Sequence, residues 1–311
     1  MALRDTRAPK APPKFGLYLG CQIPFLRPEL EVSIRKAFPI LGVRFVDLEG
    51  YSCCPTWVSA PSFDEDAWLA ISARNISIAE ESGVDMVTGC GNCYSVLNHA
   101  RYLLEDGERR EKINRILSRV GRFYRGRARI YHITHILSDF VGVRKIRENL
   151  VYSLDGMVVA AHPGCHMLWP TRIMDLPEGN PFYPQQLNDL IEILGAKSPY
   201  YSRIEYCCGA GSSIRSIDYE KSSYFVLTKL ISIKEEVDPD FIVTACSSCY
   251  IQLDETQERL RKGGKIDFEI PVFYYTQILA ICMGIKPSSV VRNGGALKKG
   301  VVDRILEGGR K

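Results

Sequence analysis

Val84-Asp-Met-Val-Thr-Gly-Cys90-Gly-Asn-Cys93-Tyr94 decides the fold of this chain, because Phe241-Ile-Val-Thr-Ala-Cys246-Ser-Ser-Cys249-Tyr250 writes it a second time. In each, an apolar run of strand length ends in a C-x-x-C pair. The likeness extends in both directions. Leu17-Tyr-Leu-Gly-Cys21 and Cys53-Cys54 precede the first copy; Val159-Ala-Ala-His-Pro-Gly-Cys165 and Cys207-Cys208 precede the second. The spacings are C-x31-CC-x35-CxxC and C-x41-CC-x37-CxxC. Past the last cysteines, Tyr131-His-Ile-Thr-His-Ile-Leu-Ser138 matches Phe273-Tyr-Tyr-Thr-Gln-Ile-Leu-Ala280. A whole structural unit is therefore duplicated, not a binding motif alone.

Each unit reads as strand alternating with helix. Phe15–Leu19, Val43–Asp47 and Val84–Thr88 are strand-length runs. Between them Trp68, Ile71, Asn75, Ile78 and Ser82 share one helical line, with Ile71 and Ile78 expected to face the sheet. Leu187, Leu190, Ile191 and Leu194, then Val226, Leu230, Ile233 and Val237, repeat at helical spacing. Residues 107–128 are charged and read as a helical connector. Strands separated by such helices pair in parallel. The expected fold is α/β: two tandem repeated units, related by a pseudo-two-fold, with the sites at the carboxyl ends of the strands. The expected boundaries are a mobile tail at 1–14, a first unit at 15–150, a second at 151–291 and a basic tail at 292–311.

The 311 residues are 46% hydrophobic and 24% charged, as in a globular protein. No apolar run reaches the roughly 20 residues that span a bilayer, and residues 1–14 have no signal-peptide pattern. The net charge of +4 sits at the two ends. The body between them is net negative, which argues against nucleic acid as a partner. The ends read as solvated, or as docking onto a neighbouring subunit. With no export signal, the expected compartment is the reducing cytoplasm.

Eleven cysteines there point to metal or redox chemistry rather than disulfides. Cys282 lies in an apolar helical stretch and is read as structural. The other ten are Cys21, Cys53, Cys54, Cys90 and Cys93, and Cys165, Cys207, Cys208, Cys246 and Cys249. Cys21, Cys90, Cys165 and Cys246 directly follow expected strands. The CxxC pairs open helices from Asn92 and Ser248, whose positive ends favour thiolate. Packed thiolates repel one another without a cation. Tetrahedral zinc takes four such ligands, but adjacent cysteines diverge and suit a larger iron–sulfur cluster. Iron–sulfur is favoured and zinc stays open. A thioredoxin-like CxxC pair leaves the other cysteines unexplained.

The twice-written pattern resembles the cysteine-rich CCG domains. Over about residues 15–285 the chain is similar to the B-subunit family of heterodisulfide reductases, the catalytic one. Leu19-Gly-Cys21, Asp47-Leu-Glu-Gly-Tyr-Ser-Cys-Cys-Pro55, Trp68-Leu-Ala-Ile-Ser-Ala-Arg-Asn75, His162-Pro-Gly-Cys-His166 and Cys207-Cys-Gly-Ala-Gly211 with Arg215 carry the likeness. The resemblance implies two noncubane [4Fe-4S] clusters, one per five-cysteine set, facing each other across a substrate cavity. It implies no flavin or nucleotide in this chain. It also implies reduction of the coenzyme M–coenzyme B mixed disulfide to two thiols, as in methanogenic archaea. Electrons would come from a ferredoxin-like C-subunit fed by a flavin-containing A-subunit.

For the small anionic disulfide, His166 and Arg215 are the candidate contacts; a donor to cluster sulfur and an internal ion pair are their plainer roles. Gly209 and Gly211 are expected to allow close backbone approach to a cluster. Cys90-Gly-Asn-Cys93 departs from the Asn-Gly order expected of the family, at a position expected to need positive φ. Two other readings remain. One is an electron-transfer CCG protein within another oxidoreductase, acting with succinate, hydroxy-acid or sulfur-compound oxidation. The other is a zinc-stabilised scaffold.

Overall fold

A computed structural model describes residues 14–174, 180–211, 214–292 and 295–308. Residues 1–13 of the expected N-terminal tail lie outside them. Strands β1 (Lys14–Tyr18), β2 (Arg44–Asp47), β3 (Asp85–Thr88) and β4 (Ile130–His132) form a parallel sheet in the order β2-β1-β3-β4. Strands β5 (Val159–His162), β6 (Phe241–Thr244) and β7 (Val272–Tyr274) form a second parallel sheet in the order β5-β6-β7. A parallel bridge from Val158 to Lys197 stands where the second unit lacks a full counterpart of β2. The two sheets thus have the same topology, and the duplication is one of architecture.

The helices follow from local signals. Helix α1 (Pro28–Ile40) opens with Pro28 and carries Glu29 and Glu31 in its first turn. Helix α2 (Pro61–Glu81) precedes β3, and helix α3 (Gly91–Leu103) follows it. In the second unit, helix α4 (Gln186–Ile193) buries Leu187, Leu190 and Ile191. Helix α5 (Tyr219–Glu236) is capped by Asp218, whose carboxylate accepts from the Lys221 backbone N–H at 3.0 Å. Helix α6 (Ser247–Lys262) is the counterpart of α3.

Two expectations are corrected. Ile71 is only half-buried, whereas Trp68, Leu69, Ala73, Ile76 and Ala79 are buried. Helix α2 packs against α3 and Gly107–Leu117 as well as β3, so its buried arc is broader than one line. The basic stretch after residue 292 contains a packed helix, α7 (Gly295–Glu307), with Val301, Val302 and Ile305 buried. Lys298 reaches Asp254 of α6 at 2.7 Å and Arg304 pairs with Asp240 at 2.5 Å. Counting charge hid a short apolar stripe.

The units share one hydrophobic core. Helix α1 packs on Tyr275–Cys282 of the second unit, and Ser33 bonds Thr276 across the junction. Tyr274, ending β7, donates its hydroxyl to the carbonyl of Gly89, the residue before Cys90. Cys282 is fully buried.

Candidate metal centre

The two CxxC pairs are built alike. Thr88 and Thr244 end β3 and β6, and each hydroxyl accepts from the backbone N–H two residues on, that of Cys90 or Cys246, at 3.3 Å. Cys90 and Cys246 are extended N-caps, and the next residues open α3 and α6. Gly91 is thus an ordinary first helical residue, absent from the glycines at positive φ. The left-handed turn expected of this motif is not formed. A Cβ at Gly91 would lie 3.5 Å from the Cys246 sulfur, ordinary van der Waals contact, so neither backbone conformation nor space demands glycine there.

The Cys-Cys loops are pinned from the helix before each CxxC pair. Trp68 of α2 donates its indole N–H to the Pro55 carbonyl at 3.0 Å. Ser222 of α5 donates its hydroxyl to the Gly209 carbonyl at 2.8 Å. Both carbonyls lie just beyond a Cys-Cys pair, so Trp68 and Ser222 hold equivalent places. Seven residues along each helix come Asn75 and Lys229. Asn75 clamps Ser52, accepting from its N–H at 2.9 Å and donating to its carbonyl at 3.0 Å. Lys229 donates to the carbonyls of Arg203 and Ile204.

All ten sequence-predicted cysteines line one cavity of about 280 Å³. Sulfur–sulfur distances are 3.4 Å for Cys21–Cys53, 3.0 Å for Cys54–Cys93 and 3.2 Å for Cys208–Cys249. Cys90 and Cys246 meet across the pseudo-two-fold at 3.9 Å. Exposure repeats between the sets: Cys21, Cys53, Cys165 and Cys207 are the less buried members, and the other six are buried.

Proton sharing governs these thiols. Hydrogen bonds from Cys53 and Cys93 pull Cys54 down to about 5, and those from Cys165 and Cys208 pull Cys207 to about 2. Their neighbours move oppositely: Cys93 and Cys165 are pushed well up by the same hydrogen bonds and by burial. Some of these thiols ionise only because neighbours keep their protons. A cationic centre that displaces those protons fits the donor set. Among the described residues, one group of three closes within 4.8 Å: His162, Cys208 and Cys249. That is not a four-thiolate tetrahedron; sulfurs spread around a cavity suit a multi-atom centre.

The remaining candidates fall on both sides of the cavity wall. His166 lines it; its Nδ1 is buried without a hydrogen-bond partner among the described residues, and burial lowers its pKa. Gly211 also lines it and would meet His166 Nε2 at 3.3 Å with a Cβ. Arg215 is not among the lining residues; it pairs with Glu255 at 2.5 Å, as Arg27 does. Gly209 has φ +81°, and its space is taken by α5: a Cβ would lie 2.6 Å from the Ser222 carbonyl oxygen. Its N–H donates to the Cys207 sulfur at 3.2 Å.

Sequence reasoning left three residues without a role here. His162 is fully buried and neither ring nitrogen has a hydrogen-bond partner among the described residues. Lys229 is fully buried; its signal was a lysine on the apolar face set by Val226, Leu230 and Ile233. Trp57 donates to Ser95 at 2.8 Å and packs its ring against His99 and His166; no spacing marked it.

A parallel α/β unit, doubled, with five cysteines per copy at the strand ends, defines a class. The model of the cysteine-rich (CCG) domain matches residues 15–98 and 159–254. The chain belongs to this family, and specifically to its heterodisulfide reductase B-subunit branch. It is 48% identical, over 96% of its length and 99% of the relative's, to a heterodisulfide reductase B-subunit-like protein of Archaeoglobus profundus. It is 35% identical, over 89% and 91%, to the B-subunit of the ferredoxin/F420H2-dependent CoB-CoM heterodisulfide reductase of Methanosarcina acetivorans. A relative at 27%, covering 88% and 93%, is the 8-methylmenaquinol:fumarate reductase membrane anchor subunit of Wolinella succinogenes. A solved hypothetical protein from Helicobacter pylori shares the fold, with TM-score 0.68 and 15% identity over 92% of this chain. The chain spans about half (52%) of that protein. Among the described residues, no helix is long and apolar enough to cross a membrane.

Proposed function

We propose that each five-cysteine set holds one noncubane [4Fe-4S] cluster and that the chain is the catalytic subunit of a heterodisulfide reductase. The observation that carries this reading is the single cavity lined by all ten cysteines. Two separate sites would suffice to store electrons. One shared chamber brings both sets to one small molecule. The reaction is R–S–S–R′ + 2 electrons + 2 protons → R–SH + R′–SH, with the coenzyme M–coenzyme B disulfide as substrate. When bound, the clusters supply the electrons singly.

The chain's own residues do the rest. The buried members of each set form the chamber's inner wall, and Cys21 and Cys53 mark its exposed side. Trp68 and Ser222 fix the Cys-Cys loops, which keeps the donor geometry rigid. His166 lines this space and is the side chain placed to hydrogen-bond the substrate. Arg215 lies outside the lining and already has Glu255 as its counter-charge, so its role is that of an ion pair. Electrons arrive through a ferredoxin-like C-subunit from a flavin-containing A-subunit, in the cytoplasm.

Metal analysis of anaerobically purified protein tests the reading. About eight irons and eight sulfides per chain are expected; four zinc ions, or neither metal, would sink it. Turnover of the coenzyme M–coenzyme B disulfide with an artificial reductant should occur and should vanish in Cys207→Ser. The Wolinella relative, named for menaquinol:fumarate reduction, favours a second reading, an electron-transfer subunit of another oxidoreductase. Full iron content with no disulfide turnover would select it.

A further inference from the structure

The two cysteine sets sit in different electrostatic surroundings. Equivalence between the units is fixed by three pairs of residues. Pro55 and Gly209 each follow a Cys-Cys pair; Trp68 and Ser222 each donate to that residue's carbonyl. Asn75 and Lys229 each lie one further heptad along the same helices. A fourth pair comes from the strands: Tyr18 and His162 each stand three residues before the fifth cysteine, Cys21 or Cys165.

In the first unit this layer is neutral, and it meets the cysteine set through the Tyr18 hydroxyl beside Cys54. The Tyr18 hydroxyl donates to the Ser52 carbonyl at 2.7 Å, and Asn75 satisfies both backbone groups of Ser52. In the second unit the same positions hold a cation and an imidazole. Lys229 is fully buried, its ammonium on two backbone carbonyls and 5.4 Å from the centre of the Tyr201 ring. Among the described residues no carboxylate pairs with it. A buried ammonium without a counter-charge is strongly disfavoured. Burial pushes its pKa down to about 8, and what opposes that push is the second set, Cys208, Cys249, Cys165 and Cys207.

We infer that Lys229 is the fixed counter-charge of the second cysteine set and makes the cluster held there easier to reduce than the one held by the first set. Adding an electron makes a cluster more negative, and a nearby buried cation stabilises that state more than the oxidised one. Asn75 offers the first set no such help. The two sites therefore differ in affinity for an electron although their ligands are the same. An electron from an external low-potential donor settles first at the second set. The inference rests on the two-cluster reading above.

Redox titration of the iron-loaded chain, followed by low-temperature electron paramagnetic resonance, tests it. Wild type should show two one-electron steps whose equilibrium constants differ at least tenfold, which is 59 mV for a single electron. Lys229→Met should lower the higher step by at least tenfold and leave the other in place. Lys229→Arg should keep the separation. Lys229→Gln, which approximates the amide of Asn75, is a second neutral variant should the methionine protein not take up iron. Coincident steps in wild type would overturn the inference, as would neutral variants that move both steps equally or neither. Iron content is read on the same samples. Loss of the two-cluster reading itself shows there as missing iron, before any potential is compared.

Discussion

The two units are near copies where they face the cavity and strangers one layer behind it. At the cavity cysteine matches cysteine and the order of burial repeats, and beneath each CxxC pair a threonine makes the same 3.3 Å bond. Behind, Trp68 over Pro55 is replaced by Ser222 over Gly209, and the difference is one of reach. An indole nitrogen spans a wide gap from helix to loop, so a proline fits beneath it. A serine hydroxyl spans little, so α5 must come close, and only glycine leaves room for the Ser222 carbonyl. The same bond is made by two size-compensated pairs. What is preserved is the position of the loop, and the side chains that preserve it are free to differ in pairs.

This comparison can be broken by changing one member of a pair at a time. The largest effect is expected from Trp68→Ala. It removes a fully buried ring and leaves the Pro55 carbonyl unpaired, at a cost of about 4 kcal/mol, whereas Ser222→Ala should cost about 1–2 kcal/mol. Urea unfolding of the metal-free chain gives both values, and equal losses would refute the reach argument. Next, Gly209→Ala should cost about 2 kcal/mol, since it adds a Cβ at positive φ against backbone. Pro55→Ala should stay within about 1 kcal/mol.

The smallest effect concerns acid. His132 ends β4 where Tyr274 ends β7, and each begins a capping box, completed by His135 or Gln277. Burial, with His135 adding to it, lowers His132 to about 3. The unfolded chain takes up this proton near pH 6.5. Below that value the unfolded state binds more protons, so stability falls as pH drops from about 6.5 toward 3. Moving from pH 7 to 5.5 should cost about 1 kcal/mol through this ring. His132→Asn, which keeps a cap acceptor, should lose that slope in urea titrations at several pH values. An unchanged slope would show that His132 is not its source.

Much of this was legible in the chain. The duplicated motif gave the strands to within a residue or two, since a strand followed by cysteine and a helix start is a local signal. It set Cys21, Cys90, Cys165 and Cys246 at strand ends, where ligands of parallel sheets gather; that both sets meet at one cavity came from the family resemblance. Two things were hidden, each for a physical reason. Lys229 reads as a solvated lysine until its face of the helix is known to be covered. The helix α7 was masked by its lysines and arginines, two of which turn out to pair with acids of the body. The turn at Cys90-Gly-Asn-Cys93 was an expectation from a family pattern and not from local chemistry; residues 91 and 92 open α3 just as Ser247 and Ser248 open α6.

The hydroxyl that Tyr274 lends to Gly89 has a consequence for symmetry. Two identical protomers meeting at such a contact would obey a strict two-fold, and every substitution beside one site would appear beside the other. Joined in a single chain, the halves keep the contact and lose that constraint. One polypeptide can then hold a matched pair of ligand sets in mismatched surroundings, in a fixed ratio of one to one, which no dimer of a single such unit could do.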